Sequence, residues 1–486
     1  MADVLDKPID PHTAEFLHEA EASKFDFHEM STKAAGDERL KRAINFAVLK
    51  QDIGRRGALA ELPDSEAMRN LAGAIKQHTL DHLDYYLEQL AERVHANGGQ
   101  VHFASTGDEA RRIVLGIAKK GGCKRVIKSK SMASEEIELT GAMEAAGLEV
   151  FETDLGEFII QLAHEKPSHL VAPIVHKDVA SIAKLFSEHF KTPYSEDPNT
   201  LTALAREFLR DKFRHADLGM TGGNFLVAES GQVCVVENEG NARQSITSPR
   251  VLVSVVGIEK VIPRVADLSV FLKLLARSAT GQVMTIDTHL FGGPRAAAEK
   301  DGPEDFHLVL LDNGRTGILA GEYRETLRCI RCAACLNACP IYRNIGGHAY
   351  GSIYPGPIGA LITPLFQGLG TFKDLPQASS LCGACYEACP VKINIPRHLI
   401  NLRRDIVSRH INGNAERFIY RVWARLLGSP AMYRWTNSLQ KWELRRRAHK
   451  TGWVRKLPMV AAGWTQVRDM PAPAKKTFHE LWKKRP

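Results

Sequence analysis

The 486-residue chain has no run of 18 apolar residues, so no segment has the length and hydropathy of a membrane-spanning helix. Its start, MADVLDKPIDPHTAEFLHEAEASKF, brings acids early and no apolar stretch, which argues against a secretory leader. No G-x-G-x-x-G follows a strand pattern and no G-x-x-x-x-G-K-[ST] occurs, so neither dinucleotide nor nucleoside-triphosphate chemistry is expected. Tryptophan is missing before residue 423. Cysteine is scarce outside two short runs. Only Cys123 and Cys234 lie elsewhere, and both are expected to be inert packing residues. Thiols this clustered do not resemble a secreted disulfide framework; they read as metal ligands in a reducing, cytoplasmic setting.

What is present is concentrated in those two runs. CIRCAACLNACP, residues 329–340, spaces Cys329, Cys332, Cys335 and Cys339 as C-x2-C-x2-C-x3-C-P. SSLCGACYEACP, residues 379–390, repeats the end of the pattern with Cys382, Cys385 and Cys389 and has Ser379 where the first cysteine would fall. This is the spacing of bacterial two-cluster iron–sulfur domains, in which three close thiolates cap one cluster and the fourth reaches the other. Cluster one is therefore expected to take Cys329, Cys332, Cys335 and, from the second run, Cys389. Cluster two takes Cys382, Cys385 and, from the first run, Cys339. Zinc knuckles favour paired CxxC motifs or CxxC with histidines, and do not call for this repeat. Two iron–sulfur clusters, of the [4Fe–4S] type, are the expected cofactors. The second has only three cysteine ligands from this chain. Its fourth iron is absent or held by Ser379, by water or by a partner's ligand. A hydroxyl is harder and poorer than a thiolate, so Ser379 is not favoured and a labile second cluster is expected. Two adjacent clusters relay single electrons, and the two-electron chemistry of a metabolite belongs to a partner.

Ahead of the cysteines the pattern changes twice. Residues 1–68 read as a helical N-terminal region. From 69 to 292 an α/β domain is expected: VHFAS, RVIKSK, EVFETD, SHLVAPIVH, NFLVAES, QVCVVENEG and VLVSVVGI read as strands, with amphipathic helices between the earlier ones, as in a mainly parallel sheet. FGGPRAAAEKDGPEDF reads as a linker or loop, and the cluster domain is placed at 300–405. Within the α/β block, KSKS at 128–131 is either an anion-binding strand end or, the favoured reading, a solvated one. Glu229, Glu237 and Glu239 in the glycine-rich stretch 217–243 are read as turn chemistry over a catalytic role. His169 and His176 are read as structural rather than metal-ligating. No catalytic residue is assigned.

Residues 411–486 form a basic, tryptophan-rich C-terminal region. It holds 17 Lys or Arg against 4 Asp or Glu and all six tryptophans, so the net charge of +8 arises there. FIYRVWARLLG places Ile419, Val422, Trp423, Leu426 and Leu427 at helical spacing, which predicts a buried face. Docking to a partner or to a second copy is favoured over peripheral contact with the inner face of the membrane, and nucleic acid is least favoured.

Several long stretches carry a wider likeness: IKSKSMASEEIEL, ETDLGEFIIQLAHEKPSHLVAPIVH, GMTGGNFLVAESGQVCVVENEGNAR, YPGPIGALITPL and the two cysteine runs. Together they resemble the lactate utilization protein B family, iron–sulfur subunits of a three-protein L-lactate oxidation system. The likeness implies a lactate-utilisation α/β domain related to ribose-phosphate isomerase and CoA-transferase folds. It also implies an α-helical ferredoxin domain with two [4Fe–4S] clusters and a helical C-terminal region. The seven cysteines match the family's four-then-three pattern. The implied role is a non-catalytic electron-transfer subunit of a complex converting L-lactate to pyruvate, with the other subunits as partners. The electron acceptor and the subunit that binds lactate are not readable. The rivals are a redox-sensing or ligand-binding regulatory module and the iron–sulfur subunit of another 2-hydroxy-acid oxidase.

Overall fold

In the computed structural model, which describes residues 25–448, 451–465 and 468–483, Val-rich segments assemble a six-stranded sheet in which every pair is parallel. Its strands are β1 (Gln100–Ala104), β2 (Arg125–Lys128), β3 (Glu149–Glu152), β4 (Leu218–Thr221), β7 (Val251–Gly257) and β10 (Asp305–Leu311), in the order β1-β10-β7-β4-β2-β3. VLVSVVG is buried at all seven positions of β7, as a central parallel strand covered on both faces must be. A second sheet, ordered β8-β5-β6-β9, joins β5 (Phe225–Val227), β6 (Gln232–Glu237), β8 (Val261–Ile262) and β9 (Asp287–Phe291).

Two expectations for this block need correcting. SHLVAPIVH is not a strand but a loop. Pro173 has no N–H to give a ladder, Ser168 N–H bonds back to Pro173 O at 3.0 Å, and the His169 ring takes the amides of Val171 and Ala172. The α/β block also runs past residue 292. β10 follows the linker and pairs between β1 and β7, in register from Asp305↔Val251 to Leu311↔Gly257.

β2 leads outward to β3, and the chain then returns to β4 on the other side of β2. The carboxyl ends of β2 and β4 thus flank a reversal of direction, where open α/β sheets form crevices. Gly219 in β4 is required by contact: a Cβ there would lie 2.0 Å from Ser245 O.

Of the expected N-terminal region, residues 1–24 lie outside the described residues. The remainder is helical, with helices Phe27–Gly36, Glu38–Ala60 and Ser65–Asp81. These helices are not a separate layer. Ile44 and Val48 share one core with Phe225 and Phe271 of the α/β block and with Leu336, Tyr342 and Leu361 of the cysteine region. Buried Asp52 anchors this join with Arg55 (2.8 Å), Arg56 (2.7 Å) and, from the cysteine region, Arg343 (3.3 Å).

Residues from 407 onward form a separate compact unit. It holds helices Asn414–Gly428 and Pro430–Ala448, with a two-residue antiparallel pair, Trp453–Val454 with Met470–Pro471. Its core is small: Leu444, Ala448 and Val454. The expected burial of FIYRVWARLLG does not hold. No residue of Asn414–Gly428 is buried, and Phe418, Ile419 and Trp423 are 68%, 52% and 57% exposed. Among the described residues of the unit, a core this small does not cover the apolar face of the helix. The same holds for the tryptophans, all six of which are exposed.

Candidate iron–sulfur centre

The two cysteine runs fold as repeats of each other. In the first, Arg331 and Ala333 take left-handed backbone at φ 61° and 62°, and the short helix Ala334–Asn337 follows. In the second, Leu381 and Gly383 sit at φ 55° and 86° before helix Ala384–Ala388. Left-handed non-glycine residues are costly, and here they recur at matching positions around the thiols. The curled loops turn amides toward sulfur. Arg331 N–H points to Cys329 Sγ at 3.4 Å, Tyr342 N–H to Cys339 Sγ at 3.5 Å and Ile393 N–H to Cys389 Sγ at 3.4 Å. Amides of this kind stabilise negative charge on sulfur and tune a bound cluster.

Helices Ala334–Asn337 and Ala384–Ala388 pack together, which brings the runs side by side. The electrostatic neighbours of the thiols fall mainly into two groups, with Cys335 feeling a thiol of each. Cys332 feels Cys329 and Cys389, Cys335 feels Cys329, Cys332 and Cys389 and also Cys385, and Cys389 feels Cys329. Cys339 feels Cys382, and Cys385 feels Cys339 and Cys382. Burial pushes Cys332 and Cys335 well up, Cys385 to about 12 and Cys389 to about 11. Thiols this hard to ionise need a strongly charged guest to hold them as thiolates.

The described cysteines do not gather at the spacing of a single ion. Four sulfurs around a lone tetrahedral zinc stand about 3.8 Å apart, from a Zn–S length of about 2.3 Å. Among the described residues, the only three or more His, Cys, Asp or Glu ligand atoms within 4.8 Å of each other are those of Glu237, Asp287 and His289. Tyr350 gives a second fit. Its side chain is fully buried beside Tyr342, and its hydroxyl has no hydrogen-bond partner among the described residues. Tyr342, Tyr354 and Tyr323, also buried, donate to Ser168 O, Glu136 Oε2 and Asp405 Oδ2 at 2.6, 2.6 and 2.5 Å. An unmade bond of this kind costs about 1–3 kcal/mol. The thiols it feels are Cys339 and Cys335, so sulfur of a bound cluster is the partner its surroundings offer.

Buried charge adjoins the loop of the first cysteine run. Arg331 stacks over Tyr354, 4.7 Å from the ring centroid, and reaches Glu259 at 3.5 Å. Burial works to raise Glu259, but Arg315, Arg331 and Lys260 hold it down to about 2. Lys76, buried, donates to the carbonyls of Glu259 and Val261; burial, with Lys260 beside it, lowers it to about 7. Arg315, Arg331, Lys260 and the partly ionised Lys76 stand here against the carboxylates Glu259 and Glu136, a surplus suited to an anionic guest. Cysteine spacing alone does not reveal this network; Arg331, inside the first run, was its only visible member.

Of the cysteines in the two runs, Cys382 is exposed and Cys329 part-buried, whereas Cys332, Cys335, Cys339, Cys385 and Cys389 are buried.

The α/β block meets this region through His169. Its Nδ1 accepts from Val171 and Ala172, so Nε2 carries the proton and donates to Asn337 Oδ1 at 3.1 Å, between Cys335 and Cys339. Burial lowers His169 to about 4, so the ring is neutral. His176 is held by Glu165 (2.7 Å) and Ser168 (2.8 Å). Both histidines are structural. Cys123 and Cys234 are buried and raised by that burial, as inert thiols are.

The KSKS segment matches neither reading offered for it. Lys128 is buried between Glu135 (2.7 Å) and Glu152 (2.8 Å), and Lys130 pairs with Glu157 at 3.1 Å. Burial alone would lower Lys128; the carboxylates of Glu135, Glu152 and Glu157 outweigh it and raise it. These lysines are neither solvated nor free for an anion. The three glutamates cap helices: Glu229 accepts from Val265 N–H, Glu237 from Ala242 and Arg243, Glu239 from Leu155. Glu237 also meets His289 at 2.7 Å across β6 and β9.

Comparison with known proteins agrees with this layout. Three family models match in succession: the LUD domain over residues 87–311, the 4Fe-4S dicluster domain over 325–393 and "Lactate utilisation protein B, C-terminal" over 408–486. Lactate utilization protein B of Shouchella clausii is 44% identical over 460 residues, 94% of this chain and 97% of that protein. Lactate utilization protein B 1 of Bacillus mycoides is 44% identical over 459 residues, 94% and 96%. An uncharacterized electron transport protein of Escherichia coli is 41% identical over 468 residues, 95% and 97%. A crystal structure of a duf162 family protein from Deinococcus radiodurans aligns with 47% of this chain and 98% of its own at 14% identity and a TM-score of 0.28. By its near-full-length likeness to curated relatives above 40% identity, the chain belongs to the lactate utilization protein B family.

Proposed function

We propose that this chain is the iron–sulfur electron-transfer subunit of a system that oxidises L-lactate to pyruvate, taking electrons from a partner rather than reacting with lactate itself. The observation that carries the reading is the packing of helix Ala334–Asn337 against helix Ala384–Ala388, which brings seven cysteines from two distant runs side by side. Cys329, Cys332, Cys335 and Cys389 would hold one [4Fe–4S] cluster. Cys339, Cys382 and Cys385 would hold the other. The clusters, when bound, supply one-electron storage. The protein's share is to bury cluster one among Arg331, Lys76 and Lys260, to point backbone amides at sulfur and to leave the second cluster near solvent at Cys382. That exposure supports exchange of electrons with a partner at cluster two. The α/β block is read as a domain of the ribose-phosphate isomerase and CoA-transferase kind that scaffolds the centre, since its lysines and glutamates are spent on internal pairs and caps.

The C-terminal unit is read as a surface-binding module. On Asn414–Gly428, Arg417, Arg421 and Arg425 recur every four residues along one side, while Phe418, Ile419, Val422, Trp423 and Leu426 fill the adjoining arc. An exposed apolar face beside a basic row fits an anionic membrane surface. A protein partner is the competing occupant.

The function is tested with anaerobically purified protein mixed with the companion proteins of the lactate system. Adding L-lactate should bleach the cluster absorbance and produce reduced-cluster EPR signals. Clusters that stay oxidised with lactate yet reduce with dithionite would contradict the assignment.

A further inference from the structure

The geometry points to Ser379 as the missing eighth ligand: we propose that its Oγ binds the iron of the second cluster that no cysteine of this chain reaches. The inference rests on the reading of the seven cysteines as ligands of two clusters, and it reverses the sequence-based preference against serine.

The argument is the repeat itself. Matching Cys332 to Cys382 and Cys335 to Cys385 aligns the left-handed pairs Arg331 with Leu381 and Ala333 with Gly383, and the two short helices. In that register Ser379 falls on Cys329. The local bonding is the same as well. Cys329 Sγ accepts the N–H two residues on, from Arg331 at 3.4 Å, and Ser379 Oγ accepts the N–H two residues on, from Leu381 at 3.1 Å. The backbone presents the side-chain atom of residue 379 as it presents the sulfur of residue 329. The serine loop is also fixed from both sides. Ser379 N–H bonds to Gln377 O at 2.7 Å, and Arg403 donates to Ser379 O at 3.3 Å and to Pro376 O at 2.9 Å. Arg403 thus holds the serine's backbone carbonyl, while Leu381 N–H donates to its hydroxyl oxygen.

Ligation breaks the Ser379 O–H bond and forms an iron–oxygen bond. The proton leaves to solvent, which reaches this edge at exposed Cys382. No electron moves in that exchange. Oxygen is a harder donor than sulfur, so the second cluster has the weaker attachment at this one corner.

The test uses the full chain, purified without oxygen, with iron and sulfide analysis and EPR. The unaltered protein should hold eight irons. Ser379→Ala should lose one and show a three-iron signal on mild oxidation, while cluster one's signal stays. Ser379→Cys should keep eight irons and shift the second midpoint potential, and it serves as the folding control. A Ser379→Ala protein with eight irons and unchanged signals would overturn the proposal. So would broadening of the second cluster's EPR in 17O-enriched water, which would put solvent at that corner. Unaltered protein devoid of iron would instead overturn the reading of the cysteines.

Discussion

Arg315 and Glu136 form a two-pronged ion pair, Nη1 to Oε1 and Nη2 to Oε2 both at 2.8 Å, with each side chain only 2% exposed. The same guanidinium gives its Nε to Glu259 at 2.5 Å, and Glu259 in turn faces Arg331 of the first cysteine run. One cation therefore ties the end of the parallel sheet to the loop around Cys329. Arg315→Met would strand two buried carboxylates, a loss of about 3–5 kcal/mol. Chemical denaturation of the mutant under anaerobic conditions should show a loss of this order, and an unchanged midpoint would mean the network carries no load.

Tyr350 provides a spectroscopic prediction. Its hydroxyl is expected to donate to cluster sulfur, and such bonds raise the reduction potential. Tyr350→Phe should keep its iron and lower one midpoint potential in an EPR-monitored titration. Tyr342→Phe, whose hydroxyl is spent on Ser168 O, should leave both potentials in place. Equal potentials in Tyr350→Phe and the parent would remove Tyr350 from the centre.

His307 sets an acid limb to stability that is independent of the clusters. It lies on β10 with Nδ1 3.1 Å from Nε2 of His102 on β1, and it is 7% exposed. Burial, with His102 beside it, lowers it to about 4. Between that value and the ordinary one near 6.5 the unfolded chain binds the extra proton, so stability is full above the ordinary value and is lost as pH falls. From pH 7 to 5 this group should cost the parent about 2 kcal/mol, and His307→Gln should remove that part of the slope. Identical pH slopes in the two proteins would contradict the burial of a neutral ring.

For the C-terminal unit, full-length protein should co-sediment with vesicles containing phosphatidylglycerol, weakly at high salt and not with neutral phosphatidylcholine. Each basic residue near such a surface contributes about 1 kcal/mol. Reversing Arg417, Arg421 and Arg425 to Glu should therefore weaken binding at least tenfold. Binding to neither vesicle, with co-purification of a companion protein lost in the same variant, would assign the face to a protein partner.

How much of this was readable beforehand differs by feature. The thiol spacing could be read directly, because a ligand motif depends on local chain geometry that sequence separation fixes. Alternating strands such as RVIKSK and VLVSVVGI were readable for the same reason. SHLVAPIVH misled because its apolar run is interrupted by Pro173 and held by His169, contacts no periodicity records. β10 was missed because it enters the sheet only after a glycine- and proline-rich loop and pairs with strands about 50 and 200 residues away. KSKS was misread because its lysines are matched by Glu152 and Glu157, which approach only when β2 and β3 pair. The exposed face of Asn414–Gly428 reads as a buried one, since helical spacing says which residues share a side and not what covers it.

The central claim is that the runs exchange ligands, and single cysteine substitutions test it most directly. In anaerobic protein monitored by EPR and iron analysis, Cys389→Ser should damage the same cluster as Cys329→Ser, and Cys339→Ser the same cluster as Cys385→Ser. If Cys389→Ser instead impairs the cluster lost in Cys385→Ser and leaves the Cys329 cluster intact, each run serves its own cluster and the account fails.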